Sequence, residues 1–174
     1  MSYWDHHKFA VGVDPGFGCT GVVVISKSGI EGWDALVSDS KLPLEQRMAL
    51  VMNAVSMRRW DVGRDKDQGE VFALETNHVT GGRSAQSALK QRELIGVLAT
   101  NAWHQGADIV RIAPTSAKKA LTGSGKAPKE DMVEAMYEYE GAPLGLSRAK
   151  REAVADALVV AIAGVEKWEA DHSG

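Results

Sequence analysis

Near the start of the chain two apolar runs lie so close together that few folds can hold both. One is Phe9 to Val13, ending at Asp14, and the other is Gly21-Val22-Val23-Val24-Ile25. The second is too β-branched to prefer a helix, because branching at Cβ restricts χ1 against the preceding turn. Between them, Pro15-Gly16-Phe17-Gly18 is turn chemistry. A link this short favours an antiparallel hairpin, and Ser26 to Gly29 reads as another turn before a third strand from Glu31 to Ser38. The chain is therefore expected to open with an antiparallel meander.

Helical periodicity takes over next. Leu44, Met48, Val51, Met52, Val55 and Trp60 recur at three-to-four spacing, and Pro43 sits where a first turn tolerates it, so Leu44 to Trp60 is predicted helical. Asp61 to Glu70 is polar and reads as a loop, Val71 to Leu74 as a strand ending at Glu75, and Thr76 to Gly82 as a second loop. A helix over Ser84 to Gln105 stops at Gly106, and Ile109 to Ile112 forms a further strand. A short helix from Pro114 to Leu121, a Gly-rich loop from Thr122 to Pro128 and a helix from Lys129 to Tyr139 follow. Ser147 is placed to cap a last helix running to about Trp168. Strands first and helices later imply an α/β fold, a mixed sheet flanked by helices.

The length of 174 residues suits one domain, with no repeat and no low-complexity linker. The lone Cys19 excludes an internal disulfide framework and a multi-cysteine zinc site, and fits a reducing cytoplasm. No apolar run approaches the roughly 20 residues of a membrane span, and Met1 to Lys8 lacks the apolar core of a secretion signal. A net charge of −3 hides an asymmetry. From residue 83 to 129, Arg83, Lys90, Arg92, Arg111, Lys118, Lys119, Lys126 and Lys129 face only Glu93 and Asp108. A cationic stretch on an otherwise acidic chain is the electrostatic footprint of a polyanion-binding face.

Three carboxylates interrupt apolar stretches where a charge is costly. Asp14 and Glu75 end strands, and Asp156 lies inside Ala153-Val154-Ala155-Asp156-Ala157-Leu158-Val159-Val160, on the helical face shared with Glu152, Val159, Val160 and Ala163. A buried carboxylate must be paired, protonated or metal-bound, and local spacing offers none of the three a basic partner. Oxygen donors suit Mg²⁺, with Mn²⁺ as a substitute. Carboxylates converging from two strand ends and a helix can hold two ions about 4 Å apart, one activating water and one stabilising the leaving oxygen of a phosphodiester. Nucleic-acid hydrolysis is the reaction this implies.

Several blocks occur in one order: Val11-Gly12-Val13-Asp14-Pro15-Gly16 with Thr20-Gly21; Ala73-Leu74-Glu75; Ser84-Ala85-Gln86-Ser87-Ala88-Leu89-Lys90; Ala113-Pro114-Thr115 with Lys118; Leu121 to Lys129; and Ala155-Asp156-Ala157-Leu158. Together, from about Phe9 to Gly164, they resemble the RuvC-type Holliday junction resolvases of the ribonuclease H-like superfamily. The resemblance implies a ribonuclease H-like fold with a central five-stranded sheet, an antiparallel meander followed by parallel strands. It also implies a homodimeric, Mg²⁺-dependent endonuclease that makes paired symmetric nicks across a four-way DNA junction. By matching position, Asp14, Glu75 and Asp156 would be metal ligands, and Lys118 and Lys129 the basic residues near the scissile phosphate. Arg83, Lys90, Lys118, Lys119, Lys126 and Lys129 would neutralise junction phosphates. The acidic balance and compact length would suit a phage-encoded resolvase.

Two departures stand out. Ala153 occupies the position, three before Asp156, where the family usually carries a second acid or a histidine. Glu152, one residue earlier and one turn from Asp156, is a candidate to reach the same metal. The loop after Glu75 lacks the aromatic residue that the family can insert at the junction, and His78 is a candidate to stack on a base in its place. The alternative function is a branched nucleic-acid-binding protein of the same fold whose catalysis has weakened or been lost. No nucleotide cofactor is expected: Gly123-Ser124-Gly125-Lys126 lacks the first glycine of a P-loop, Ala120 standing there, and Ala127 replaces its Ser or Thr. An actin-like ATPase would need two such halves.

Overall fold

The computed structural model describes residues 2–16, 18–61, 70–76 and 85–173. Three strands open it, β1 (Ala10–Asp14), β2 (Cys19–Ser26) and β3 (Gly29–Val37), followed by α1 (Leu44–Asp61), β4 (Val71–Glu75), α2 (Ala85–His104) and β5 (Asp108–Ile112). Three helices complete the chain: α3 (Pro114–Thr122), α4 (Lys129–Met136) and α5 (Arg148–His172). The strands form one sheet in the order β3-β2-β1-β4-β5. The pairs β1–β2 and β2–β3 are antiparallel, whereas β1–β4 and β4–β5 are parallel. The expected meander followed by parallel strands is therefore present, in a mixed five-stranded sheet.

Side-chain alternation divides the core in two. Val11, Val13, Val22, Val24, Phe72 and Leu74 point to the face covered by α1 and α2, where they meet Val51, Val55, Leu94, Ile95 and Leu98. Ala10, Val23, Ile25, Val71, Ala73, Val110 and Ile112 point to the other face, onto α5, with α3 and α4 packed on α5. Three glycines let α5 come down onto the backbone. A Cβ on Gly21 would lie 1.9 Å from the Ala153 carbonyl oxygen, one on Gly12 2.2 Å from that of Ala157, and one on Gly164 2.6 Å from the Ala73 Cβ. The stripe of α5 against the sheet is thus Ala153, Ala157, Ala161 and Gly164, and Asp156 stands at its edge rather than in its middle.

Some boundaries differ from expectation. β3 starts at Gly29, so the second turn tightens to Lys27-Ser28; α4 ends at Met136, a turn early; and α5 runs on to His172. Ser147 holds the N-cap position of α5, but its side chain makes no capping bond, and its carbonyl accepts from the Arg151 N–H at 2.9 Å. Among the described residues no helix is long and apolar enough to cross a membrane. At the end of the sheet away from Asp14, the Tyr3 hydroxyl donates to the Phe9 carbonyl and accepts from the Val71 N–H, tying the N-terminal segment to β4.

Candidate active site

Pleating decides which carboxylates can meet. Ala10, Gly12 and Asp14 point alternately with Val11 and Val13, so Asp14 faces α5; Val71, Ala73 and Glu75 do the same on the neighbouring strand. β1 and β4 are parallel and adjacent, so both acids emerge at the same end of the sheet, at the carboxyl ends of these strands. Asp156 comes down to them from α5. The three line one cleft of about 580 Å³, together with Gly16, Gly18, Arg47, Ser87, Lys90, Gln91, Pro114, Lys118 and Lys129.

The cations of this cleft come from four helices. Lys118 on α3 donates from Nζ to the Ala127 carbonyl at 3.1 Å. Lys129, the first residue of α4, donates from Nζ to Asp156 Oδ2 at 2.9 Å and stands 3.6 Å from Glu152 Oε2. Partial burial disfavours the Lys129 charge, but the Asp156 hydrogen bond and charge, with Glu152 and Asp14 nearby, carry its pKa above the ordinary lysine value. Asp156 thus has a basic partner that local spacing could not reveal, because α4 returns a lysine to it.

Glu152 is placed differently from Asp156. It borders a second groove with Glu130, Val133, Glu134, Arg148 and Arg151, which shares Lys129 with the cleft of Asp14 and Glu75. Arg148 Nε donates to its Oε1 at 2.6 Å, and that bond, with Lys129 adding charge, holds its carboxyl below the ordinary glutamate value. Its geometry is that of a partner for Arg148 and Lys129. The carbonyl of Ala153, the position three before Asp156, packs close against Gly21 of β2.

A model of the family "Crossover junction endodeoxyribonuclease RuvC" matches residues 10–164. The chain belongs to this family. RuvC of Chlorobium phaeovibrioides is 33% identical over 161 residues, covering 87% of this chain and 78% of that protein. RuvC of Anaeromyxobacter sp. strain Fw109-5 is 29% identical over 157 residues, covering 88% and 70%. The structure of T. thermophilus RuvC in complex with a Holliday junction substrate shares the fold, with a TM-score of 0.68 at 21% identity, covering 95% of this chain and 96% of that one.

Among the described residues of this RuvC relative, no three His, Cys, Asp or Glu side chains stand together closely enough to hold a metal ion. The donor chemistry nonetheless suits an oxygen-preferring divalent ion, since three carboxylates line one cleft and one of them is already engaged by an ammonium group. Burial, with Asp14 adding repulsion, pushes the Cys19 thiol up, as expected of an inert packing residue.

Of the other predicted contacts, Lys90 lines the cleft, whereas Lys119 and Lys126 are exposed outside it. His78 and Arg83 lie outside the described residues. Arg47 and Gln91 were missed from sequence. Both interrupt an apolar helical stripe, Arg47 between Leu44 and Val51, and Gln91 ahead of Leu94, Ile95 and Leu98. The same test that singled out Asp156 would have found them. Trp103 and Met57 are 66% and 61% exposed and so do not belong to this chain's core.

Proposed function

We propose that this chain is a structure-selective DNA endonuclease that resolves four-way junctions by metal-dependent phosphodiester hydrolysis, residues 1–174 acting as one nuclease domain. The observation that carries the reading is that Asp14, Glu75 and Asp156 line one cleft with Arg47, Lys90, Lys118 and Lys129. Carboxylates alone would repel a phosphodiester; rimmed by cations, they form a site that attracts a phosphate while holding positive charge at its floor. Asp14, Glu75 and Asp156 would hold Mg²⁺ or Mn²⁺, two ions per site, with Glu152 acting through Lys129. Bound metal would lower the pKa of the attacking water and stabilise charge on the scissile phosphate. Lys118 and Lys129 place ammonium groups at the same phosphate, and Arg47 and Lys90 hold the strand from the opposite wall.

A two-fold substrate calls for a two-fold enzyme, and a homodimer would present one such cleft to each of two symmetric strands. The reaction uses no nucleotide cofactor and belongs in the cytoplasm, where branched DNA is processed. The test is nicking of a synthetic four-way junction beside linear, flap and three-way DNA, with Mg²⁺ or Mn²⁺, while light scattering follows the oligomer. Asp14→Asn, Glu75→Gln and Asp156→Asn are each expected to lower the rate by about 10²-fold or more. Tight junction binding without cleavage of any substrate would replace this reading by that of a branched-DNA binder.

A further inference from the structure

Asp14 is the last residue of β1 to pair with β2, opposite Gly21, and the chain must reverse between them. Among the described residues, three hydrogen bonds hold the start of that reversal. Gly16 donates its N–H back to the Asp14 carbonyl at 3.0 Å, and its own carbonyl accepts from Thr20 Oγ1 at 2.8 Å. Both belong to the hairpin itself. The third comes from outside: Gln91 Nε2, on α2, donates to the Pro15 carbonyl at 2.9 Å. Gln91 is 8% exposed, one turn ahead of the buried Leu94 and Ile95 on α2, and it lines the cleft beside Ser87 and Lys90 of the same helix.

We propose that Gln91 is a positioning residue for Asp14: its amide pins the Pro15 carbonyl and so fixes the Asp14 carboxylate relative to Lys90 and Glu75. The proposal rests on the metal-nuclease reading of this cleft. A carboxylate at a strand end inherits every swing of the turn that follows it. The hairpin's own two bonds move with the turn, whereas a bond from α2 ties it to the helix that carries part of the phosphate-binding wall. Without it, Asp14 keeps its chemistry and loses its fixed distance from the other donors.

Gln91→Met keeps the length and removes the donor; Gln91→Leu removes the donor with a shorter apolar side chain. Three quantities are measured: Mn²⁺ affinity without DNA by electron paramagnetic resonance, exchange of the Gly16 amide in metal-free protein, and junction cleavage against Mn²⁺ concentration. Both variants should bind Mn²⁺ about tenfold more weakly, exchange Gly16 faster, and show a cleavage defect that shrinks as Mn²⁺ rises. A purely structural Gln91 would lower the melting temperature and leave Mn²⁺ affinity and Gly16 exchange as in wild type; that result overturns the proposal. Should Gln91→Met fail to fold, Gln91→Leu gives the same readings. A wild type that neither binds Mn²⁺ nor cleaves would sink the nuclease reading itself, whereas a wild type that does both beside unchanged variants would sink the positioning role alone.

Discussion

Replacing Gly21 by alanine should separate catalysis from folding. Gly21 lies in β2 opposite Asp14, and α5 rests on it so closely that a Cβ would stand 1.9 Å from the Ala153 carbonyl oxygen and 2.6 Å from its carbon. Ordinary contact begins near 3.5 Å, so α5 must retreat by about 1.5 Å at this point. Asp156 is three residues further along the same rigid helix and retreats with it, away from Asp14 and Glu75, which belong to the sheet. A misplacement of about 1 Å in a catalytic constellation costs about 10²-fold in rate, whereas overpacking of this kind costs about 1–3 kcal/mol of stability. The assay is single-turnover nicking of a four-way junction by protein shown to be folded by circular dichroism and urea titration. Gly96→Ala is the control, because a Cβ there meets nothing within 4 Å; it should cleave normally and gain about 0.5–1 kcal/mol. A folded Gly21→Ala enzyme that cleaves within about threefold of wild type would refute the reasoning, since the helix would then have moved without disturbing the site.

Arg59 is 1% exposed, hydrogen-bonds Glu70 and Gln105, and lies over the Phe72 ring at 5.4 Å. Arg59→Met should therefore lose about 3–5 kcal/mol in urea unfolding by stranding Glu70, and Glu70→Leu in the same chain should restore much of it; a loss below about 1 kcal/mol would show that water reaches the pair. Burial pushes the Tyr3 hydroxyl well above the ordinary tyrosine value of 10.0. The folded state thus keeps a proton that the unfolded chain releases near pH 10, so stability is full below that pH and falls above it by up to about 1.4 kcal/mol per pH unit. Tyr3→Phe should remove this alkaline slope while costing about 1–3 kcal/mol at neutral pH, because the buried Val71 N–H loses its acceptor; an unchanged slope would place the sensitivity elsewhere.

What was legible in the sequence was whatever depends on neighbours along the chain. β-branching over Val22 to Ile25 and helical spacing over Leu44 to Trp60 announce themselves within a few residues, because they reflect rotamer freedom and the burial of one face. Element ends were less visible. α4 was expected to run to Tyr139, yet Tyr137 to Tyr139 carry no periodicity break that marks its stop at Met136. The three acids could be found because each is a charge set in an apolar run, and Arg47 and Gln91 would have yielded to the same test.

By itself, then, the sequence determined the kinds of element, their order, and which side chains had to be reckoned with as buried charges. Tertiary structure alone decided who meets whom. Parity within parallel strands aims Asp14 and Glu75 at the same face, glycines let α5 bring Asp156 to the same cleft, and α4 folds back to set Lys129 on Asp156 while Arg148 pairs with Glu152. Pairings such as Lys129 with Asp156 and Gln91 with Pro15 join residues far apart in the chain. Local propensity is silent about them, because their geometry exists only once the sheet has pleated and the helices have packed.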